Sequence, residues 1–129
     1  MRALDTNILA RLMLNDDEAQ AAAAADLVRE RFVISHTVLL ELAWLLSFRV
    51  GLDRQRIAMA LRDITSLPTI VIDDVNLVSW AIDRFEAGAD FADMLHIATA
   101  KPAHVFVSFD RQLARRAGAN APVRVELLR

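Results

Sequence analysis

Val105-Phe106-Val107-Ser108-Phe109-Asp110 joins a short strand over 105–108, apolar on both faces, to a helix expected over 110–117 and halted at Gly118. Consecutive apolar positions leave such a strand no side for water, so it reads as buried beneath helices. Working outward, the pattern recurs. Residues 32–35 (Phe-Val-Ile-Ser) and 69–72 (Thr-Ile-Val-Ile) are buried strands, 2–5 is a short first strand, and 123–127 is an edge strand. Helices are expected between them. One starts at Thr6 or Asn7 and runs to about Leu14; a second, restarted by Asn15-Asp16-Asp17, covers 17–30. Residues 37–50 end at Gly51, and 53–66 open on Asp53 as N-cap and stop before Pro68. Residues 75–87 close at Gly88, and 91–100 stop at Lys101-Pro102. Strands alternating with helices predict an α/β fold: a parallel sheet of four to five strands, order 3-2-1-4-5, flanked by helices. In such sheets ligands bind at the carboxyl ends of the strands.

The 129 residues are expected to form one domain, 1–129. With 55% hydrophobic and 25% charged residues, the composition is that of a globular protein with a large core. The chain has no cysteine, which excludes a disulfide scaffold, a thiolate zinc site and a cysteine nucleophile. Its three glycines exclude both the phosphate-binding loop and the dinucleotide fingerprint, and no Gly-x-Ser-x-Gly elbow occurs. His36, His96 and His104 lack the spacing of a zinc site. No apolar run is long enough to span a membrane, and the start Met1-Arg2, reaching Asp5 at once, is not that of a signal peptide. A cytoplasmic location without membrane association is expected. The net charge of −2 advertises no nucleic-acid binder.

The positions of the acids say more. Asp5 ends the first strand and Asp110 the fourth, strands that adjoin in the expected order. Glu41 lies within Val38-Leu39-Leu40-Glu41-Leu42-Ala43-Trp44-Leu45-Leu46, and Asp93 within Phe91-Ala92-Asp93-Met94-Leu95-His96-Ile97-Ala98, with Asp90 one turn before it. Neither Glu41 nor Asp93 has an Arg or Lys three or four residues away, so neither has a helical ion-pair partner. Acids in such apolar stretches are expected to be partly buried, at a cost of several kcal/mol each unless something compensates them. Each also has a plainer reading: Asp5, Asp90 and Asp110 as helix caps, Glu41 and Asp93 as partners of distant arginines. Their joint occurrence favours convergence. A hard divalent cation held by oxygen, Mg²⁺ with Mn²⁺ as substitute, would then offset the repulsion.

These residues resemble the PIN-domain family, and within it the VapC-type toxin ribonucleases of toxin–antitoxin pairs. The resemblance runs over the whole chain and rests on four motifs in order: Met1-Arg2-Ala3-Leu4-Asp5-Thr6-Asn7-Ile8-Leu9; Ile34-Ser35 with Leu40-Glu41-Leu42; Phe91 to Ala98; and Val107-Ser108-Phe109-Asp110-Arg111. It implies a PIN-like α/β/α sandwich. It implies that Asp5, Glu41, Asp93 and Asp110 are catalytic and hold the metal, with Asp90 beside them, and that Thr6, Asn7 and Ser108 orient ligands or water. Ser108 stands where the family usually has threonine, and the hydroxyl is kept. The implied activity is a Mg²⁺-dependent endoribonuclease whose activated water cuts RNA to a 5′-phosphate and a 3′-hydroxyl. The implied partners are an RNA substrate, a cognate VapB-type antitoxin and a second copy of the chain.

Setting the five acids aside turns the net charge of −2 into +3, so the remaining surface is mildly basic. Arg11, Arg49, Arg54, Arg56, Arg115 and Arg116 are candidates for phosphate contacts. Trp44 and Trp80 read as core. Two other readings are weaker. A haloacid-dehalogenase-type phosphatase needs a second aspartate where Asn7 stands. A receiver-like binding or signalling module without nuclease activity would use Asp73-Asp74, but Lys101 precedes a strand instead of ending one.

Overall fold

A computed structural model describes residues 1–14 and 16–129; the expected helix restart at Asn15 lies outside them. The chain divides into two compact units, Met1–Asp73 and Asp74–Arg129.

The first unit runs β1 (Arg2–Ala3), α1 (Thr6–Leu14), α2 (Glu18–Leu27), β2 (Phe32–Val33), α3 (His36–Phe48), α4 (Arg54–Thr65) and β3 (Ile70–Val71). Its strands are parallel in the order β1-β2-β3, in register Arg2↔Phe32↔Ile70 and Ala3↔Val33↔Val71. The Leu4 amide extends the pairing to the Val33 carbonyl at 2.9 Å. Phe32 and Ile34, on the central strand and just past it, are buried, as its apolar sequence requires. Helix starts follow local capping: Asp17, Ser35 and Asp53 accept from the amides of Gln20, Val38 and Arg56. At the end of α3, Gly51 has φ 76°, and the Leu52 amide returns to the Leu46 carbonyl at 3.0 Å. That left-handed turn favours glycine, which explains why the helix ends there.

Helix α3 shows how the core is chosen. Leu39, Leu42, Ala43 and Leu46 are buried at helical spacing. Glu41, Trp44 and Phe48 share the opposite, exposed face. Two expectations are corrected here. Glu41 is exposed, not partly buried, and Trp44 is half exposed, not core. The helix is apolar nearly all round, so its sequence did not mark the buried stripe.

The second unit runs α5 (Val75–Glu86), α6 (Phe91–Thr99), β4 (Val105–Ser108), α7 (Leu113–Ala117) and β5 (Arg124–Leu127). Helices α5 and α6 pack together, with the Phe85 and Phe91 rings edge to face at 5.6 Å. Strands β4 and β5 are parallel, from Val105↔Arg124 to Ser108↔Leu127. Helix α7 starts at Leu113, not Asp110, because the Asp110 carboxylate first closes a turn onto the Gln112 amide. Gly118 has φ 82°, and a Cβ there would lie 3.1 Å from the Arg84 guanidinium, whose Nε donates to the Arg116 carbonyl at 2.8 Å.

The chain is thus α/β with parallel strands, as expected. Its pairings form two sheets, β1-β2-β3 and β4-β5, in place of one five-stranded ladder. Both sheets hold the neighbours that the expected order gives them, and β1 and β2 contribute only two residues each.

Leu42 is fully buried while Phe48, on the same helix, is 83% exposed. Leu42→Ala should lower the unfolding free energy by about 2–5 kcal/mol. At protein dilutions where the chain is monomeric, Phe48→Ala should change it by no more than about 0.5 kcal/mol. Urea unfolding of both variants checks this; equal losses would refute the assignment of faces.

Candidate active site

Of the acids singled out in the sequence, Asp5, Glu41, Asp90 and Asp93 stand on a helix or at the start of one, and Asp110 stands in the turn after β4. In the first unit Asp5 follows β1 and precedes α1. Its Oδ1 accepts the Thr6 amide at 2.8 Å, and its carbonyl accepts the Ile8 amide at 3.1 Å. Asp5 stands at the start of α1, but its side chain bonds only the adjacent amide and not one further into the helix, so the capping reading is not realised in full. A carboxylate has about four acceptor sites, so a cap does not exhaust it. Thr6 is buried, and among the described residues its hydroxyl has no hydrogen-bond partner. Asn7 is exposed and lines a cavity of about 430 Å³ with Ile8, Arg11 and Gln20. Glu41 stands on the exposed face of α3.

The second unit holds the tighter group. Asp90 is the N-cap of α6, its Oδ2 accepting the Asp93 amide at 3.0 Å. Asp93 sits half-buried in the first turn of that helix. Asp110 follows β4: its amide donates to Ser108 Oγ at 3.0 Å, and its Oδ1 accepts the Gln112 amide at 2.9 Å. Ser108 thus fixes the backbone that carries Asp110, a positioning role. Gln112 Oε1 in turn accepts from Arg116 at 2.9 Å and from Arg115 at 3.3 Å.

Burial, first of all, raises the Asp93 carboxyl above its ordinary value; the charges of Asp90 and Asp110 add to this, while His96 and Arg116 work against it. Asp90, Asp93 and Asp110 therefore share one electrostatic neighbourhood. Among the described residues none of Asp5, Glu41, Asp90, Asp93 and Asp110 has an ion-pair partner. Several basic residues are engaged elsewhere: Arg11 with Asp16 at 2.8 Å, Arg56 with Asp53 at 4.0 Å, and Lys101 with Asp74 at 3.5 Å.

Oxygen donors without cationic partners, and an Asp93 that feels two like charges, fit a hard divalent cation in chemistry. The fit is one of donors and charge, not of a finished cage. Among the described residues no group of three or more His, Asp or Glu side chains is close enough to hold an ion.

The Asp93 shift carries a stability consequence. Its folded value lies above the ordinary 3.8, so the folded state binds the proton more tightly than the unfolded one. The penalty is present at neutral pH, declines as pH falls through the folded value, and is gone below the unfolded one. In EDTA, Asp93→Asn should melt at a higher temperature than wild type at pH 7, and the gap should close as the pH approaches 3.8. Melting curves across that range check it; a variant less stable at pH 7 would contradict the assigned cause.

Comparison with known proteins places the chain. The PIN domain family model matches residues 2–119, running through both units. No curated protein and no solved structure matches it. Family and geometry agree on an α/β fold with parallel strands, and the chain belongs to the PIN domain family, whose members are generally nucleases that use divalent metal ions.

Proposed function

We propose that this chain is a Mg²⁺-dependent endoribonuclease, the VapC-type toxin of a toxin–antitoxin pair. The observation that carries this reading is the set of carboxylates left without cationic partners in a chain of a nuclease family. Asp5, Glu41, Asp93 and Asp110 are the acids we assign to catalysis and metal holding, with Asp90 as an auxiliary ligand. Mn²⁺ would serve as a substitute. When bound, the ion neutralises phosphate charge and acidifies water.

The chain's own residues supply the positioning. The Thr6 amide orients Asp5. Ser108 Oγ and the Gln112 amide fix Asp110 from two sides, and Arg115 and Arg116 brace Gln112. Asn7 offers an exposed amide beside Asp5 for a ligand. Water attacks phosphorus in line, and the 3′-oxygen leaves and takes a proton, giving a 5′-phosphate and a 3′-hydroxyl. This route needs no ribose 2′-hydroxyl.

A non-catalytic binding or signalling module is the competing reading. It draws on the lack of a three-residue ligand group among the described residues. Cleavage of total cellular RNA decides between them. Asp5→Asn and Asp110→Asn should each lose about a hundredfold or more in rate while remaining folded, and EDTA should abolish wild-type cleavage. Undiminished activity in either variant or in EDTA would sink the nuclease assignment.

The reading also includes a VapB-type antitoxin and a homodimer. For the dimer there is structural support: Trp44 is 50% and Phe48 83% exposed on one face of α3, apolar area that a second copy would bury. Sedimentation should give a dimer mass for wild type and a monomer mass for the Trp44→Ser, Phe48→Ser double variant. A monomeric wild type would remove the homodimer from the proposal.

A further inference from the structure

The largest ring exposure beside the assigned acids belongs to Phe109, 74% exposed and immediately before Asp110. It lines a cavity of about 610 Å³ with Arg111, Leu127, Leu128 and Arg129. That volume falls within the range of about 300–1,000 Å³ typical of small-ligand sites. The cavity lies where β4 and β5 end, the position at which parallel sheets take ligands. Its frame is fixed by backbone bonding: Ser108 pairs with Leu127, and the Leu128 amide donates to the Ser108 carbonyl at 2.8 Å. The same Ser108 holds the Asp110 amide through its hydroxyl, so pocket and acid are built on one residue.

The lining is chemically specific. Among the described residues neither Arg111 nor Arg129 has an ion-pair partner, unlike Arg11 and Arg56, and the Phe109 ring has no aromatic neighbour. Two free guanidiniums around an exposed aromatic face match a ligand that presents a flat π surface and a negative charge together. Building on the nuclease reading above, we infer that this pocket binds one unstacked nucleotide of single-stranded RNA next to the cleavage point. Phe109 stacks on its base, and Arg111 and Arg129 hold phosphates. Duplex RNA keeps its bases stacked inside and offers no face to the ring, so the pocket selects single strands.

The test is binding of a short fluorescein-labelled oligoadenylate to the full chain in EDTA, read by fluorescence anisotropy. Loss of one stacked base predicts binding weaker by about tenfold or more for Phe109→Ala, with Phe109→Trp retaining affinity. Arg129→Gln should weaken binding and reduce the salt slope by about one. Met59→Ala, which removes an exposed apolar side chain elsewhere, should bind as wild type. Because Phe109 is exposed, its variants should melt with wild type. The inference is overturned if Phe109→Ala binds as wild type, if Met59→Ala loses as much, or if duplex RNA competes as well as single strands. It is equally overturned if Phe109→Ala alters only self-association, which would make the pocket a protein contact. Cleavage in Mg²⁺ is measured apart from binding. Failure of Asp5→Asn to reduce cleavage removes the nuclease reading and leaves the stacking result standing; an indifferent Phe109→Ala removes the pocket and leaves the nuclease reading standing.

Discussion

Uncompensated negative charge is the constraint around which the second unit is organised. Asp93 is half-buried, and its burial and the like charges of Asp90 and Asp110 raise its carboxyl against the opposing pull of His96 and Arg116. Arg116 is turned toward Gln112 instead, and its carbonyl accepts from Arg84. A fold selected for stability alone would place a guanidinium among those carboxylates, as it does with Arg11 and Asp16. Natural proteins tolerate such local strain mainly where function requires it. On the proposed nuclease reading, the cost at Asp93 is what a bound cation would relieve.

The scaffold that holds the acids is backbone more than side chain. Asp5, Asp90 and Asp110 each accept a main-chain amide within three residues, and Asp93 donates its own amide to Asp90. Helix starts supply these amides freely, since their first donors lack partners within the helix. The arrangement orients a carboxylate while using one of its oxygens, which is why a cap and a ligand are not rival descriptions of the same aspartate. Ser108 completes this logic by fixing the turn that carries Asp110, a role its hydroxyl fills as a threonine's would.

Much of this was legible in the sequence. Asp53 and Asp90 cap the helices they were expected to cap, and Gly51 and Gly88 fall at helix ends with positive φ. Short-range chemistry decides such features, so short stretches reveal them. What failed depends on packing. The exposure of Glu41 and Trp44 was hidden because α3 carries apolar residues on every face, and no periodicity separated the stripe facing Leu39, Leu42 and Leu46 from the stripe facing water. Phe109 and Arg129 were missed because they are distant in sequence, and only the β4–β5 register brings the Ser108 and Leu127 ends together.

The arginines show the same limit from the side of charge. Sequence position suggested Arg11, Arg56, Arg115 and Arg116 as phosphate contacts, yet Arg11 and Arg56 stand beside aspartates, and Arg115 and Arg116 bond Gln112. Exposed pairs of this kind contribute about 0–1 kcal/mol, so an arriving phosphate can displace them, but it must first repay what the pair contributes. Arg111 and Arg129 have no such debt. A guanidinium without a partner binds an anion with its full complement of donors, and beside an exposed ring it does so where the base attached to that anion can also be held. Recognition is therefore assigned less by where arginines fall in the sequence than by which of them the fold leaves unpaired.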